Sequence, residues 1–431
     1  MKLDQNRVNN QSNDRTGLTT TRTDSVFSNR VPKDRPRTEL SSLISQKRSR
    51  GDTLCDLTEV NPTRVGIDFD PQRLARAIGD TNRIPYTPSP QGSPLARQAI
   101  AESYLARGHR VDREGILLTA STSESYGYLL KLLCDPGQSV LIASPGYPLV
   151  DFIARSEGVG VEHFSLLYDG RWNLDLPTVA SALRRPEPRR PKAVFVVHPH
   201  SPTGGTLSER ESEGLVSLCA AASVPLILDE VFLLFSGTRE PIPERGDAEA
   251  PHGSFVDTDR GLVFVLDGVS KQLGLPGLKL GWIVTCGDEA LVGEALGRLE
   301  WIADLFLSVS TVAQRTLPAL LPEGERFRHR LVERIQRNLE ILAARLAAVP
   351  SVDLVRPEGG WYATLRVPAT GSSSEWARSL LATSNVITHP GDLFGLPESH
   401  LVLSLVTPED RLASGAQSLG EFFSEFEAPF D

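Results

Sequence analysis

Residues 193–229 read AVFVVHPHSPTGGTLSERESEGLVSLCAAASVPLILD, and this stretch decides the fold. Positions 193–197 and 225–228 are apolar throughout instead of alternating, so each strand expects cover on both faces, as in a parallel sheet clad in helices. Between them, 211–222 carries helical spacing. Similar strands recur at 116–119, 140–143 and 262–266, with helical patterns such as 128–133 separating several of them. Ser93-Pro94 is a helix start, a serine cap followed by proline in the first turn. The predicted class is α/β: a large domain with a mostly parallel sheet flanked by helices.

Farther out, the pattern changes. Residues 1–36 are polar and aperiodic and are predicted to form a disordered arm. Positions 38–47 predict a short amphipathic helix, and 56–63 a strand entering a turn. Long helical patterns cover 288–307 and 326–348, and strands are expected at 359–362, 386–391 and 401–405. This gives a large domain over 66–310 and a small α+β domain from both chain ends, 37–65 and 311–431.

Composition narrows the function. The 431 residues carry a net charge of −9, which argues against a nucleic-acid or anionic-membrane surface. The four cysteines lie far apart without Cys-x-x-Cys spacing, which predicts reduced thiols in a cytoplasmic protein. No apolar run reaches membrane-spanning length, and the amino terminus lacks a signal-like apolar segment.

The polar residues that end the apolar strands are the candidate site, because ligands of open α/β sheets bind beyond the carboxyl ends of strands. Lys271 is one of only seven lysines among 45 basic residues and sits between a strand and a Gly/Pro-rich turn. A lysine there can form an imine with an aldehyde cofactor, which arginine cannot. Asp229 ends 225–228 and suits either a helix cap or a charge-assisted bond to a cationic ring nitrogen. The run Thr119-Ala120-Ser121-Thr122-Ser123-Glu124, between strand and helix, suits an anion nest or an ordinary cap. Tyr147 follows another strand, where a ring either fills core or stacks on a flat ligand. The His198-x-His200 pair has no carboxylate or third histidine at ligand spacing, which weighs against a metal site. Dinucleotide, Walker and nucleophile-elbow motifs are absent.

Taken in order, these pieces resemble the fold-type-I pyridoxal-phosphate enzymes, specifically the class I/II aminotransferases. The resemblance covers about residues 54–410 and rests on Tyr86–Gly92, Leu118–Glu124, Pro145-Gly-Tyr147-Pro, Ser201-Pro-Thr-Gly204, Leu228-Asp-Glu-Val231, Ser270-Lys271 with Gly274–Gly277, and Pro390–Gly395. It implies pyridoxal 5′-phosphate as cofactor, bound as an imine to Lys271, with that lysine later moving the substrate α-proton. It implies that Asp229 keeps the pyridine nitrogen protonated, that Ser121, Thr122 and Ser123 form the phosphate nest with Ser270 nearby, and that Tyr147 stacks on the ring. Tyr86 is similar to a tyrosine that reaches the neighbouring subunit's phosphate, implying a homodimer with shared active sites. An amino donor and a keto acceptor are the implied small-molecule partners.

Five positions depart from the family pattern. Ser201 replaces an asparagine and Phe232 a tyrosine, both donors to the cofactor's phenolic oxygen, so the imine pKa is expected to be raised. Lys279 replaces a phosphate-binding arginine and offers a point charge without the fork, while Gly268 stands where some relatives have a serine. Val402 stands where relatives clamp the substrate carboxylate with arginine. An unpaired buried carboxylate costs about 3–5 kcal/mol, so either Arg64 (after Asn61-Pro62-Thr63) or Arg366 takes over, or the substrate is not a free α-amino acid. The leading expectation is an aminotransferase. Its alternative is a lyase, decarboxylase or cyclising or condensing enzyme using the same cofactor. A cofactor-sensing regulator would need a winged-helix module, and the polar amino-terminal stretch lacks three helical periods.

Overall fold

The computed structural model describes residues 26–32, 38–67, 69–79, 86–236, 252–397 and 399–425. Most of the arm expected over 1–36 lies outside the described residues. Within 26–32, Arg30 donates to the Ser156 carbonyl at 3.1 Å.

The strands, in chain order, begin with β1 (Cys55–Asp56), followed by β2 (Ile116–Thr119), β3 (Ser139–Ser144), β4 (Gly160–Tyr168), β5 (Trp172–Leu174), β6 (Val194–Val197), β7 (Leu226–Asp229), β8 (Leu262–Gly268) and β9 (Gly281–Gly287). Beyond them lie β10 (Asp353–Val355), β11 (Tyr362–Arg366), β12 (Val386–Ile387), β13 (His389–Pro390) and β14 (His400–Ser404). The large sheet runs β2-β9-β8-β7-β6-β3-β4-β5. Its centre, β8-β7-β6-β3-β4, is parallel, whereas β9 runs antiparallel between β2 and β8.

The continuous apolar runs serve two cores at once. Leu226 and Leu228 join one cluster with Val194, Val196, Val263 and Val265, while Ile227 joins Phe195, Phe264 and Leu266 on the opposite face. Side chains alternate along a strand, so neighbouring residues must point into different layers. This is why no polar residue interrupts them.

The small domain holds a four-stranded antiparallel sheet, β10-β11-β14-β13, with a core from Leu331, Ile335, Trp361, Leu403 and Phe423 among others. The strand expected at 359–362 begins only at Tyr362, because Gly360 takes a φ of 81° and turns the chain. The strand expected over 386–391 splits: β12 pairs with β1 and β13 with β14. Helix Thr311–Leu320, unanticipated from the sequence, sends Ala313 and Leu317 into the core beneath the large sheet. No described helix is long and apolar enough to cross a membrane.

One polar residue locks the small domain. Asn338 is fully buried on helix Gly324–Leu346, and its Nδ2 donates to Leu405 O at 2.7 Å and Thr407 O at 2.8 Å. Asn338→Ala leaves both carbonyls unpaired, and urea unfolding should show a loss of about 2–4 kcal/mol.

Candidate active site

Because β2, β3, β6, β7 and β8 end along one edge of the sheet, the segments that follow them converge there. Antiparallel β9 brings its amino end to that same edge between β2 and β8, with Gly281 paired to both Thr119 and Gly268. Hence the 119–124 turn, the approach to β9, Lys271 and Asp229 share one rim.

Lys271 lies in the short helix Val269–Gln272 that follows β8. Its ammonium sits 4.4 Å from the Trp361 ring centroid and 5.5 Å from that of Phe232. Aromatic faces attract the charged form weakly, but they also exclude water. Burial prevails and pushes the Lys271 pKa down to about 8, with Asp229 pulling upward. The neutral amine is therefore reached at lower pH than for an exposed lysine.

Asp229 ends β7, and the two-residue period sends it to the face of helix Thr122–Leu133 while Glu230 points to the other. There Glu230 accepts from Ser254 Oγ at 2.6 Å and Phe255 N at 2.8 Å. Asp229 Oδ1 accepts from Val231 N at 3.1 Å, and Oδ2 accepts from the Tyr126 hydroxyl. Burial raises the Asp229 pKa, opposed by Tyr126, the Val231 N–H and Lys271.

The 119–124 turn starts helix Thr122–Leu133, with Ser121 as cap accepting from Glu124 N at 3.2 Å. Among the described residues no protein acceptor takes the N–H of Thr122 or Ser123. These are the unpaired donors of a helix start, with the positive end of the helix dipole behind them. Gly281 lets β9 lie against this turn, and Gly268 lets β8 lie close to β9. A Cβ on Gly281 would lie 3.2 Å from Ser121 C and Thr122 N, and one on Gly268 would lie 3.0 Å from Gly281 Cα.

Other sequence candidates are distributed around this centre. Ser270 adjoins Lys271 and is half-buried, while Ser201 is buried in the turn after β6. Lys279 is exposed, with a left-handed φ of 53°, two residues before Gly281. Tyr147 is half-exposed and tilts against Phe394 at 6.2 Å. It lines a cleft of 720 Å³ whose walls include Tyr126, His200, Asp229 and Phe394. Tyr86 is 72% exposed and lines a separate cavity with Tyr128 and Leu307. The His-x-His pair serves the turn itself: His198 Nδ1 accepts from Leu207 N, and His200 Nδ1 meets Thr203 Oγ1 at 2.8 Å.

The substrate candidates are engaged elsewhere. Asn61 Oδ1 caps a short turn through Thr63 N and Oγ1, and Arg64 lies 3.6 Å from Glu59 with most of its side chain exposed. Arg366 donates to Asp353 Oδ2 at 2.7 Å on the exposed rim of the small sheet. Val402 is fully buried between Thr364 and His389.

Sequence reasoning missed Tyr126 and Trp361. Tyr126 lies four residues after Thr122, on the same helix face as the turn's free N–H groups, and that spacing was the available signal. Nothing in the sequence marked Trp361 beyond its place after Gly359-Gly360.

Comparison with known proteins decides the family. Residues 61–419 match the family described as aminotransferase class I and II. The chain belongs to that family. Human tyrosine aminotransferase is 26% identical over 385 residues, 86% of this chain and 81% of the relative. A probable aspartate/prephenate aminotransferase of Aquifex aeolicus is 25% identical, covering 91% and 97%. Among solved structures, an alanine aminotransferase from Pyrococcus furiosus superposes with a TM-score of 0.79 at 20% identity, covering 90% and 96%. A Thermus thermophilus aspartate aminotransferase mutant gives 0.77 at 24% identity, covering 92% and 99%.

This transaminase therefore has the fold-type-I architecture. The family's cofactor is pyridoxal phosphate, and the residues present fit it. The free N–H groups of Thr122 and Ser123 suit a phosphate. Gly281 holds a strand end where a Cβ would crowd the nest, and buried Asp229 suits a cationic ring nitrogen.

Proposed function

We propose that this aminotransferase uses pyridoxal phosphate held covalently through Lys271, with Asp229 at the ring nitrogen and residues 121–123 at the phosphate. Bound there, the cofactor supplies an electron sink for the charge left when the substrate α-proton departs. The observation that carries the reading is electrostatic. A partly buried lysine walled by Trp361 and Phe232, its pKa lowered to about 8, shares the rim with the buried carboxylate of Asp229, whose charge pulls that pKa upward. Released from its covalent task, Lys271 Nζ is the base that takes the α-proton and returns it. Asp229 holds compensating negative charge in place, and Trp361 and Phe232 keep water from the amine. Ser270 and Lys279 support the phosphate end. The functional unit is a homodimer in which exposed Tyr86 reaches the neighbouring site.

Borohydride reduction after incubation with pyridoxal phosphate should leave the label on the peptide containing Lys271. The neutral amine is the nucleophile, so capture should rise with pH to half-maximum near 8, well below the ~10.4 of an ordinary lysine. Labelling elsewhere, or a midpoint near that of free lysine, rejects the assignment.

The donor side departs from the usual pattern. Val402 is sealed in the small sheet, Arg366 is held by Asp353, and Arg64 faces Glu59. These placements support a donor without a free α-carboxylate. Phe394 supplies an aromatic wall of the cleft beside Tyr147, whose ring stacks on the cofactor. Among phenylalanine, its amide and 2-phenylethylamine, the amide or amine should exceed the acid in kcat/KM by about 100-fold. Loss of the donor's amino group should match gain of aminated acceptor. Donor consumption without acceptor amination would instead support the lyase or decarboxylase alternative.

A further inference from the structure

We infer that Tyr126 is a positioning residue of this site, tying the Asp229 carboxylate to the helix whose amino end carries the phosphate nest. The inference rests on the proposed role of Asp229 and goes beyond it. Tyr126 is 5% exposed, its ring stands edge-on to Phe195 at 5.8 Å, and its hydroxyl donates to Asp229 Oδ2. The other oxygen takes the Val231 N–H, so the carboxylate plane is pinned from two sides. A buried phenol donating to a carboxylate forms a charge-assisted bond, stronger than a neutral one. It favours the ionised acid against the burial that would neutralise it.

Geometry adds a second consequence. Thr122 and Tyr126 are spaced four apart on helix Thr122–Leu133, so the nest donor and the phenol share one helix face. The helix thus fixes the separation between the phosphate end of the site and Asp229. A ligand anchored at one end meets the other already placed, without ordering a side chain on binding. Both Tyr126 and Asp229 line the cleft, together with Tyr147 and His200.

A double-mutant cycle tests this. Apo forms of the parent, Tyr126→Phe, Asp229→Asn and the double variant are titrated with pyridoxal phosphate and, separately, with inorganic phosphate. Tyr126→Phe keeps the ring against Phe195 and removes only the hydroxyl. It should weaken pyridoxal phosphate binding about tenfold in the parent but by less than about twofold when Asp229 is already asparagine. Inorganic phosphate affinity should stay unchanged, because the nest is intact. Equal weakening in both backgrounds, or none in either, overturns the proposal and makes Tyr126 a packing residue. Borohydride labelling of Lys271 in the same preparations separates the two readings. If Lys271 is labelled and the cycle shows no coupling, only the Tyr126 inference fails. If Lys271 is unlabelled and Asp229→Asn leaves binding unaltered, the functional reading fails with it.

Discussion

Lys271→Arg should lower turnover by about 10³–10⁴-fold while leaving the fold intact. Arginine keeps a cation near Trp361, Phe232 and Asp229, where the lysine ammonium now lies 4.4 Å from the indole centroid. Charge, bulk and the Coulombic attraction to Asp229 are thus roughly retained. What is lost is a neutral nitrogen, because the guanidinium stays protonated at any working pH. Lys271 has its pKa lowered to about 8 and can be neutral, whereas the arginine can neither attach to an aldehyde nor take up a proton. Steady-state rates with an amino donor, alongside circular dichroism to confirm folding, give the comparison. Lys271→Ala extends it: small primary amines added to that variant should restore part of the rate by supplying the missing base. A Lys271→Arg enzyme within about tenfold of the parent would show that the proton moves elsewhere.

Asp229→Asn should reduce turnover by about 10²–10³-fold and should separate two roles of the carboxylate. The amide nearly matches the acid in shape but carries no charge to hold a protonated ring nitrogen. Its effect on Lys271 has the opposite sign. Asp229 raises the Lys271 pKa against burial, so removing the charge lets that pKa fall below about 8. Covalent capture of pyridoxal phosphate should therefore shift its midpoint to lower pH and remain possible near neutrality, while turnover collapses. A midpoint that stays near 8 in Asp229→Asn would argue that the carboxylate does not act on Lys271, and undiminished turnover would sink its role at the ring nitrogen.

Much of this site was legible because strand ends are legible. Asp229 and Lys271 each follow a run that is apolar at every position, and such runs can be cut only where the chain leaves the sheet. The 119–124 run was readable for the same reason, as small hydroxyl residues at a strand-to-helix junction. Tyr126 was not, because a phenol in a helical pattern reads as core until its hydroxyl is seen to meet Asp229. Trp361 was hidden differently: it belongs to the small domain, and only folding carries it to Lys271. Arg366 shows the reverse, a plausible cation that pairs with Asp353 across two strands of the small sheet.

The order of apolar strands and helical segments by itself determined the α/β class and named the groups at the strand ends, since two-sided burial imposes a local pattern on each strand. The antiparallel insertion of β9, the aromatic walls around the Lys271 amine and the sealing of Val402 were decided only by the tertiary structure. Each depends on contacts between residues far apart in the chain, which local periodicity does not encode.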